Sequence, residues 1–240
     1  MAQIRIYLTN LGKYNEGELV GKWVDLPCDL EEELAEIGVS DEPDEEGRYY
    51  EEYFITDYES DIPGLEIDEY ANIDELNELA ERVEGFDDDE IEVISAYFDA
   101  VSKDLDAAID CAESGDWMIY RGCDNMADVA REYIDQLGGI EFAVGDPTAY
   151  FDMDEYLDRY YVGEYADQLI ADGEFSEEDY DEAFDYAREV LEQEAYDRLS
   201  MGEMDERSLE NCFDYESFGR DMEIEGTFAF VDGDCVQIMY

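Results

Sequence analysis

Apolar and polar residues alternate at the start of the chain. The run from Ile4 to Leu8 has the period of two that is typical of a strand with one buried face. Similar runs follow at residues 19–26 and 53–58, and an acidic segment before the last of these has the spacing of a short helix. We therefore predict a small N-terminal α+β domain over residues 1–62.

The spacing of apolar residues changes to a helical period over residues 63–114, which predicts a central helical domain. Three helices fit this segment, with Asn72 capping the first, the acidic run 87–90 opening the second and Ser102 capping the third. Their predicted apolar faces are, in chain order, Ile73, Leu76, Ala80 and Val83; Ile91, Ile94, Phe98 and Val101; and Leu105, Ala108, Ile109 and Ala112.

The remaining residues, 115–240, predict a C-terminal α+β domain. A strand at 116–120 precedes a helix at 125–137, and a hairpin turn at Asp232-Gly-Asp joins two strands near the end of the chain. The predicted inward face of that helix is Met126, Val129, Tyr133 and Leu137. Between helix and hairpin, residues 140–207 are helical in pattern, with a stripe of Tyr180, Phe184, Ala187, Leu191 and Leu199. The predicted fold is α+β, elongated and multi-domain, with small mixed sheets, further helices and a helical central section.

Composition narrows the possible functions. Of 240 residues, 72 are Asp or Glu and 13 are Lys or Arg, so the formal net charge is −59. Such a chain repels phosphate, which argues against binding nucleic acid or an anionic membrane. The chain contains no histidine, which excludes histidine-dependent nucleophilic catalysis and histidine-ligated zinc. No apolar segment is long enough to span a membrane and no signal peptide is recognisable, so we predict a cytoplasmic protein.

No residue pattern indicates a cofactor, metal site or enzyme. The five cysteines are widely spread without a Cys-x-x-Cys pair, which is typical of small buried hydrophobic residues. Asp152-Met-Asp and Asp232-Gly-Asp lack the twelve-residue frame of a calcium-binding loop. Among so many acids, no spacing singles out a catalytic carboxylate pair. We predict no catalytic residue, no cofactor and no metal.

The acidic residues are distributed over the whole chain and are not confined to a tail. This distribution, together with 45% apolar residues, indicates a folded body with a charged surface. DNA carries one charge per about 1.7 Å of axis, so 59 charges correspond to about 100 Å of duplex. Three interpretations remain open on composition: a polyanion that resembles DNA, a general acidic decoy for DNA-binding proteins such as nucleoid proteins, and a halophile-type acidic domain.

Five sequence blocks resemble the ArdA antirestriction family, and they occur in the family's order. They are Ile4–Trp23, Glu52–Glu59, Ile73–Asn77, Cys123–Arg131 and Phe213–Met222, followed by Gly226-Thr-Phe. The first block contains the loop residues Gly12, Tyr14, Asn15 and Gly17, and the last contains Phe213, Asp214, Tyr215, Arg220 and Asp221. For Arg220 and Asp221 we expect an internal ion pair or an interface contact.

The resemblance implies a function and a target. Family members are elongated three-domain proteins that dimerise through their C-terminal domains. They act as non-catalytic DNA mimics in the DNA groove of type I restriction-modification enzymes and block restriction, and possibly modification, of incoming DNA. They are encoded on mobile elements. The target comes from the resemblance alone, whereas the polyanion argument also rests on composition.

This chain departs from the family pattern at one place. The family runs directly from the Gly138-Gly139 pair into the block at Phe213, whereas here the acidic segment 140–207 intervenes. Its sequence Phe151–Tyr156 echoes Phe213–Phe218, either as a partial duplication or by chance. The segment would lengthen an acidic surface, and its effect on dimerisation is open.

Binding by mimicry is distributed over many carboxylates, so single residues are hard to select. We choose three acidic runs at predicted helix starts, where solvated helix ends are the alternative interpretation. The candidate acidic surface consists of Glu31, Glu32, Glu33, Asp87, Asp88, Asp89, Glu177, Glu178 and Asp179.

Overall fold

A computed structural model describes residues 3–159 and 162–239 of the chain. Helices account for 53% and strands for 17% of the residues, which confirms the α+β class. The chain forms two compact units. The first unit comprises the residues up to Gly122 together with those from Gly226 onward, and the second comprises Cys123–Glu225.

The first unit begins with a three-stranded antiparallel sheet. Its strands are β1 (Ile4–Asn10), β2 (Gly21–Leu26) and β3 (Tyr53–Ser60), in the order β2-β1-β3. Two short helices, α1 (Leu11–Asn15) and α2 (Leu30–Glu36), lie in the connections between strands. The predicted strand alternation is confirmed, because the side chains of Ile4, Ile6 and Leu8 are all buried.

Three helices follow: α3 (Ile73–Val83), α4 (Asp88–Ala100) and α5 (Leu105–Ser114). Every residue of the predicted apolar faces of α3 and α5 is buried. The cap of α5 differs from the prediction. The Asp104 carboxylate, and not Ser102, accepts a hydrogen bond from the N–H of Ala107 at the helix start.

The predicted apolar face of α4 was partly wrong. Ile94 and Phe98 are buried as expected, but Val101 follows the helix and is 40% exposed. Val93 and Ala96 are buried instead. Since α4 packs against α5 on one side and against strands of a second sheet on another, it buries a wider face than one stripe of residues.

The second sheet of the first unit consists of β4 (Trp117–Tyr120), β5 (Thr227–Val231) and β6 (Asp234–Ile238), in the order β4-β6-β5. The predicted hairpin is confirmed, with Asp232 and Gly233 between its strands. The strands of both sheets pair antiparallel, whereas mixed sheets were expected. Both sheets and the three helices contribute to one hydrophobic core.

The second unit is helical. Its α-helices are α6 (Met126–Leu137), α7 (Ile140–Ala143), α8 (Met153–Arg159), α9 (Val162–Ala171), α10 (Tyr180–Met201), α11 (Glu206–Asn211) and α12 (Tyr215–Glu225). Single 3-10 turns lie at Pro147–Tyr150 and Glu177–Asp179. The helical pattern predicted for residues 140–207 is therefore confirmed.

The buried faces of α6 and α10 differ from the predicted stripes. In α6, Leu137 is 45% exposed, while Ala130 and Ile134 are buried where the helix packs against α12. In α10, Ala187 and Leu199 of the predicted stripe are buried as expected, whereas Tyr180 at the helix start is exposed and Ala183, outside the stripe, is buried.

The predicted division at residues 62 and 114 into three domains stays a prediction. The structure joins both sheets and helices α3 to α5 in one compact unit. No helix in the described residues combines the length and the apolar character needed to cross a membrane.

Candidate functional site

The first acidic run, Glu31–Glu33, lies in the first turn of α2. Asp29 caps this helix by accepting a hydrogen bond from the N–H of Glu32. Glu31 and Glu32 are exposed, whereas Glu33 is half-buried in an ion pair with Lys22 on β2. Hydrogen bonds to Glu33 and Glu36 raise the pKa of Lys22, which keeps its ammonium group charged. The run therefore presents two free carboxylates and one that is partly neutralised.

The second run, Asp87–Asp89, begins α4. The Asp87 carboxylate accepts hydrogen bonds from the N–H groups of Asp89 and Glu90, both at 3.0 Å. The Glu90 carboxylate in turn accepts from the N–H of Asp87 at 2.8 Å, which completes a capping box. Asp88 is exposed and Asp89 forms an ion pair with Arg121. Asp87 therefore caps α4 in addition to contributing negative charge.

The third run, Glu177–Asp179, forms the 3-10 turn before α10, and all three residues are exposed. The hydroxyl group of Ser176 donates to the Asp179 carboxylate at 2.5 Å and makes no capping hydrogen bond to the backbone. All three runs nevertheless lie at helix starts, where the helix dipole favours negative charge.

Cations in the first unit bind several carboxylates at once. The guanidinium of Arg82 on α3 contacts three acids on one face of α5, namely Asp106 and Asp110 at 2.5 Å and Glu113 at 2.8 Å. Their spacing along α5 places them one turn apart on the same side. Arg82 therefore joins two helices and offsets the repulsion among three carboxylates.

Arg121, which follows β4, has the same role. It forms ion pairs with Asp89 and Glu92 on α4 and with Asp234 on β6. Hydrogen bonds from the backbone N–H of Gly122 and from Arg121 lower the pKa of Asp234. Burial raises the pKa of Glu92, although Arg121 opposes that shift. One cation thus links elements that are more than 100 residues apart in sequence.

Three other cations repeat this arrangement. Arg48 contacts Glu16, Asp44 and Glu46, each at 3.1 Å. Lys22 contacts two acids of α2, and Arg5 contacts one acid on β2 and one on β3. The cations are used as links between elements and between neighbouring acids. They do not neutralise the surface, because 59 negative charges remain in excess. The positions of these links could not be read from the sequence, where the basic residues stand singly.

The family-loop residues Gly12, Tyr14, Asn15 and Gly17 form or follow α1, although the sequence suggested a loop there. A side chain at Gly12 would lie 2.5 Å from the Tyr50 ring, and Gly17 has a positive φ of 88°. Asn10, which no sequence pattern singled out, caps α1. Its buried side-chain amide also donates to the carbonyls of Ile37 and Gly38.

The block at Phe213 supplies a core residue and a helix cap. Phe213 is buried, and Tyr215 packs edge-on against it at 4.9 Å with the Arg131 guanidinium 4.6 Å from the Tyr215 ring centre. Asp214 caps α12, and hydrogen bonds from the hydroxyl and N–H of Ser217 lower the pKa of Asp214. Structural roles therefore explain all three predicted residues.

The two segments that echo each other in sequence also pair in the structure. Phe151 and Phe213 form an isolated antiparallel bridge, flanked by hydrogen bonds from the N–H of Asp152 to Cys212 and from the N–H of Asp214 to Tyr150, each 2.7 Å. In both segments, the aspartate after the phenylalanine accepts from the N–H three residues later, at a helix start. The likeness thus extends from sequence to local structure.

Arg220 and Asp221 are exposed on α12, and no ion pair joins them in the described part of the chain. The expected internal pair is wrong, because neighbouring helix residues point in different directions. Asp221 instead accepts a hydrogen bond from the Tyr150 hydroxyl at 2.8 Å. An interface role for either residue stays a prediction.

All five cysteines are buried or half-buried. Cys123, Cys212 and Cys235 are buried, and burial raises the pKa of Cys212 to about 11, which disfavours its thiolate. Within residues 3–159 and 162–239, no group of three or more Cys, Asp or Glu side chains is arranged to hold a metal ion.

Comparison with known proteins identifies the family. The family model described as "Antirestriction protein (ArdA)" matches residues 6–158 and 154–237. The two matches overlap at residues 154–158, and the second extends through the acidic segment that separates the family blocks. A comparison with curated proteins finds no match. The chain belongs to the ArdA antirestriction protein family.

Proposed function

We propose that this antirestriction protein is a DNA mimic that occupies the DNA-binding groove of a type I restriction-modification enzyme. The observation that carries the proposal is the excess of 59 negative charges on a folded, family-matched chain. A groove that binds DNA displays cations to phosphates, and carboxylates at similar density compete for them. Inhibition then needs occupancy only and no chemical step.

The arrangement of charge supports this mechanism. Glu31, Glu32, Asp88 and residues 177–179 lie at helix starts and are exposed to solvent. Elsewhere, Arg82 and Arg121 each form ion pairs with three acids and so hold those carboxylates close together. Linked carboxylates can approach one another more closely than free ones because a cation lies between them. We propose the nine residues of the candidate acidic surface as contributors to target binding.

We also propose a homodimer that forms through the C-terminal part of the chain. In the second unit, Phe142 is 76% exposed and, together with Gly138 and Gly139, lines a hollow of about 280 Å³. Exposed apolar surface of this kind is typical of protein contacts. Light scattering should give twice the monomer mass of 27.7 kDa, and a Phe142→Ser variant should shift toward the monomer.

The test of the main proposal uses a purified type I enzyme and unmethylated DNA that carries its recognition site. Adding the protein at moderate salt should reduce cleavage in proportion to occupancy of the enzyme, and a parallel methylation assay shows whether modification is blocked as well. Unchanged cleavage and methylation at a large molar excess would refute the proposal. Capture of nucleoid proteins without restriction subunits would favour the general decoy.

A further inference from the structure

A concave site, which we name the aromatic hollow, lies at the first sheet and is lined by residues of all three of its strands. Its volume is about 690 Å³. It is lined by five aromatic side chains, namely Tyr7, Tyr14, Trp23, Phe54 and Tyr58. Leu19 and Tyr70 at its edge are 70% and 64% exposed. Exposed apolar surface in so acidic a protein needs a reason, and a binding role is the usual one.

Contacts between the rings hold the hollow in shape. Tyr7 and Trp23 are direct neighbours across β1 and β2, with ring centres 5.4 Å apart and planes at 81°. Tyr14 packs edge-on against Phe54 at 5.2 Å, and Tyr70 stacks on the same ring at 6.3 Å. A site whose side chains are already ordered loses little conformational entropy on binding.

Two carboxylates complete the hollow. Asp57 on β3 and Glu69 line it, and both residues are exposed. Neither forms an ion pair within the part of the chain that the structure describes, unlike the acids bound by Arg82 or Arg121. The hollow therefore combines aromatic faces with uncompensated negative charge.

Arginine is the side chain that fits this combination. Its planar guanidinium stacks on aromatic rings and forms paired hydrogen bonds with carboxylates, whereas the lysine ammonium is a compact, strongly hydrated charge. The same sheet face contains an internal example. The Arg5 guanidinium lies 5.2 Å from the Trp23 ring centre and forms ion pairs with Asp25 and Glu59.

We propose that the aromatic hollow binds an arginine side chain of a partner polypeptide. That the partner is a DNA-binding protein rests on the proposed function, since such proteins present arginine to phosphates and bases. The hollow adds a contact that charge mimicry lacks. The net charge of a polyanion attracts lysine and arginine equally, whereas stacking on aromatic rings favours arginine and is less sensitive to salt.

Calorimetric titration of the full chain with two peptides tests this assignment. One peptide alternates six arginines with glycine, and the other carries six lysines at the same positions. At 0.15 M salt, the arginine peptide should bind about two- to fivefold more tightly, the range expected for one exposed cation–π contact. Since the two peptides have equal charge, the ratio of affinities cancels the general electrostatic attraction.

Two variants locate the preference. Tyr14→Ala removes one aromatic side chain of the hollow. Asp57→Asn combined with Glu69→Gln removes both carboxylates and keeps the rings. Each variant should bring the ratio of the affinities for the arginine and lysine peptides close to one. The matched control is Asp41→Asn with Glu42→Gln, which removes two exposed charges of the same unit outside the hollow and should keep the ratio. Circular dichroism melting of each variant verifies its fold.

Equal affinity of the wild-type chain for both peptides would overturn the proposal, as would an unchanged ratio in both hollow variants. Binding of an oligothymidylate that is lost in the same variants would also overturn it, in favour of base stacking. No restriction enzyme takes part in this test. If the chain prefers the arginine peptide but does not inhibit cleavage, the proposed function is wrong and this inference still holds. If the chain inhibits cleavage but shows no preference for arginine, this inference is wrong and the proposed function still holds.

Discussion

Each cation link of the first unit holds carboxylates that would otherwise repel one another. Arg82 shows this most clearly, because three acids of α5 approach its guanidinium and all three accept hydrogen bonds from it. Removing such a residue has two effects: the ion pairs are lost, and the acids that remain repel each other. Single exposed pairs contribute little, whereas networks contribute more.

We expect Arg82→Gln to lower the free energy of unfolding by about 1–2 kcal/mol at pH 7, the sum of three modest ion pairs. Urea denaturation followed by circular dichroism measures this change. Arg207→Gln is the matched control, because Arg207 is exposed and forms no ion pair within the described residues. If both substitutions lowered the free energy of unfolding equally, the loss of one positive charge would explain the effect, and the ion pairs of Arg82 would not.

The effect of Arg82→Gln should depend on pH. A hydrogen bond from Arg82 lowers the pKa of Glu113 in the folded chain. A carboxyl group with a lowered folded pKa stabilises the fold above its unfolded pKa, about 4.3, and this contribution is lost as the pH falls through the folded pKa. The difference between wild type and variant should therefore be full at pH 7 and shrink below about pH 4. A constant difference down to about pH 2 would contradict this explanation.

At the scale of elements, close helix contacts depend on small residues that a hydrophobic pattern does not mark. Helices α6 and α12 meet at Gly219, where an added Cβ would lie 2.3 Å from the Met126 carbonyl oxygen. We expect Gly219→Ala to destabilise the second unit by about 1–3 kcal/mol, because α12 must move away from α6. Thermal unfolding followed by circular dichroism measures the loss.

Gly163→Ala is the control for this substitution. Gly163 also lies in a helix, α9, but among residues 3–159 and 162–239 an added Cβ would meet only the Tyr180 hydroxyl oxygen, at 4.0 Å. Alanine is the better helix former by about 1 kcal/mol, so this variant should be as stable as the wild type or more so. If Gly219→Ala were equally harmless, α6 and α12 would not be in close contact at this position.

At the scale of the whole molecule, 59 excess negative charges act on the fold together. Their mutual repulsion destabilises the compact state, and dissolved salt screens it. We expect the midpoint of thermal unfolding to rise by several degrees between about 0.05 and 0.5 M sodium chloride, although salt also weakens the ion pairs of Arg82 and Arg121. A falling midpoint would mean that the ion pairs outweigh the general repulsion.

Target binding should also depend on charge collectively. Replacing Glu177, Glu178 and Asp179 by their amides should weaken inhibition about five- to thirtyfold, the equivalent of about 1–2 kcal/mol for three modest contributions of exposed carboxylates. Amide replacement of all nine residues of the candidate acidic surface should weaken it progressively further and flatten its salt dependence. Inhibition assays over a salt series measure both effects. Complete loss of inhibition from one exposed carboxylate would contradict distributed mimicry.

The sequence by itself determined the element types, the charge and the family. Periods of two and 3.6 predicted the strands of both sheets and most helices of both units, because each element must bury one face whatever it packs against. Helix α1, at the predicted loop, was missed. The C-terminal hairpin was visible in its turn residues, and five blocks in order were enough to indicate the ArdA family. These features depend on residues that are near one another in the chain.

Only the tertiary structure decided which partner each residue meets. Val101 and Leu137 have the right spacing for burial but lie exposed, because burial also requires a neighbouring element that covers the position. The sequence also could not show that Arg121 joins α4 to β6, that Tyr7 and Trp23 border one hollow, or that Phe151 pairs with Phe213. Such contacts join distant parts of the chain, and they are fixed by packing and Coulomb attraction in three dimensions, which no local pattern encodes.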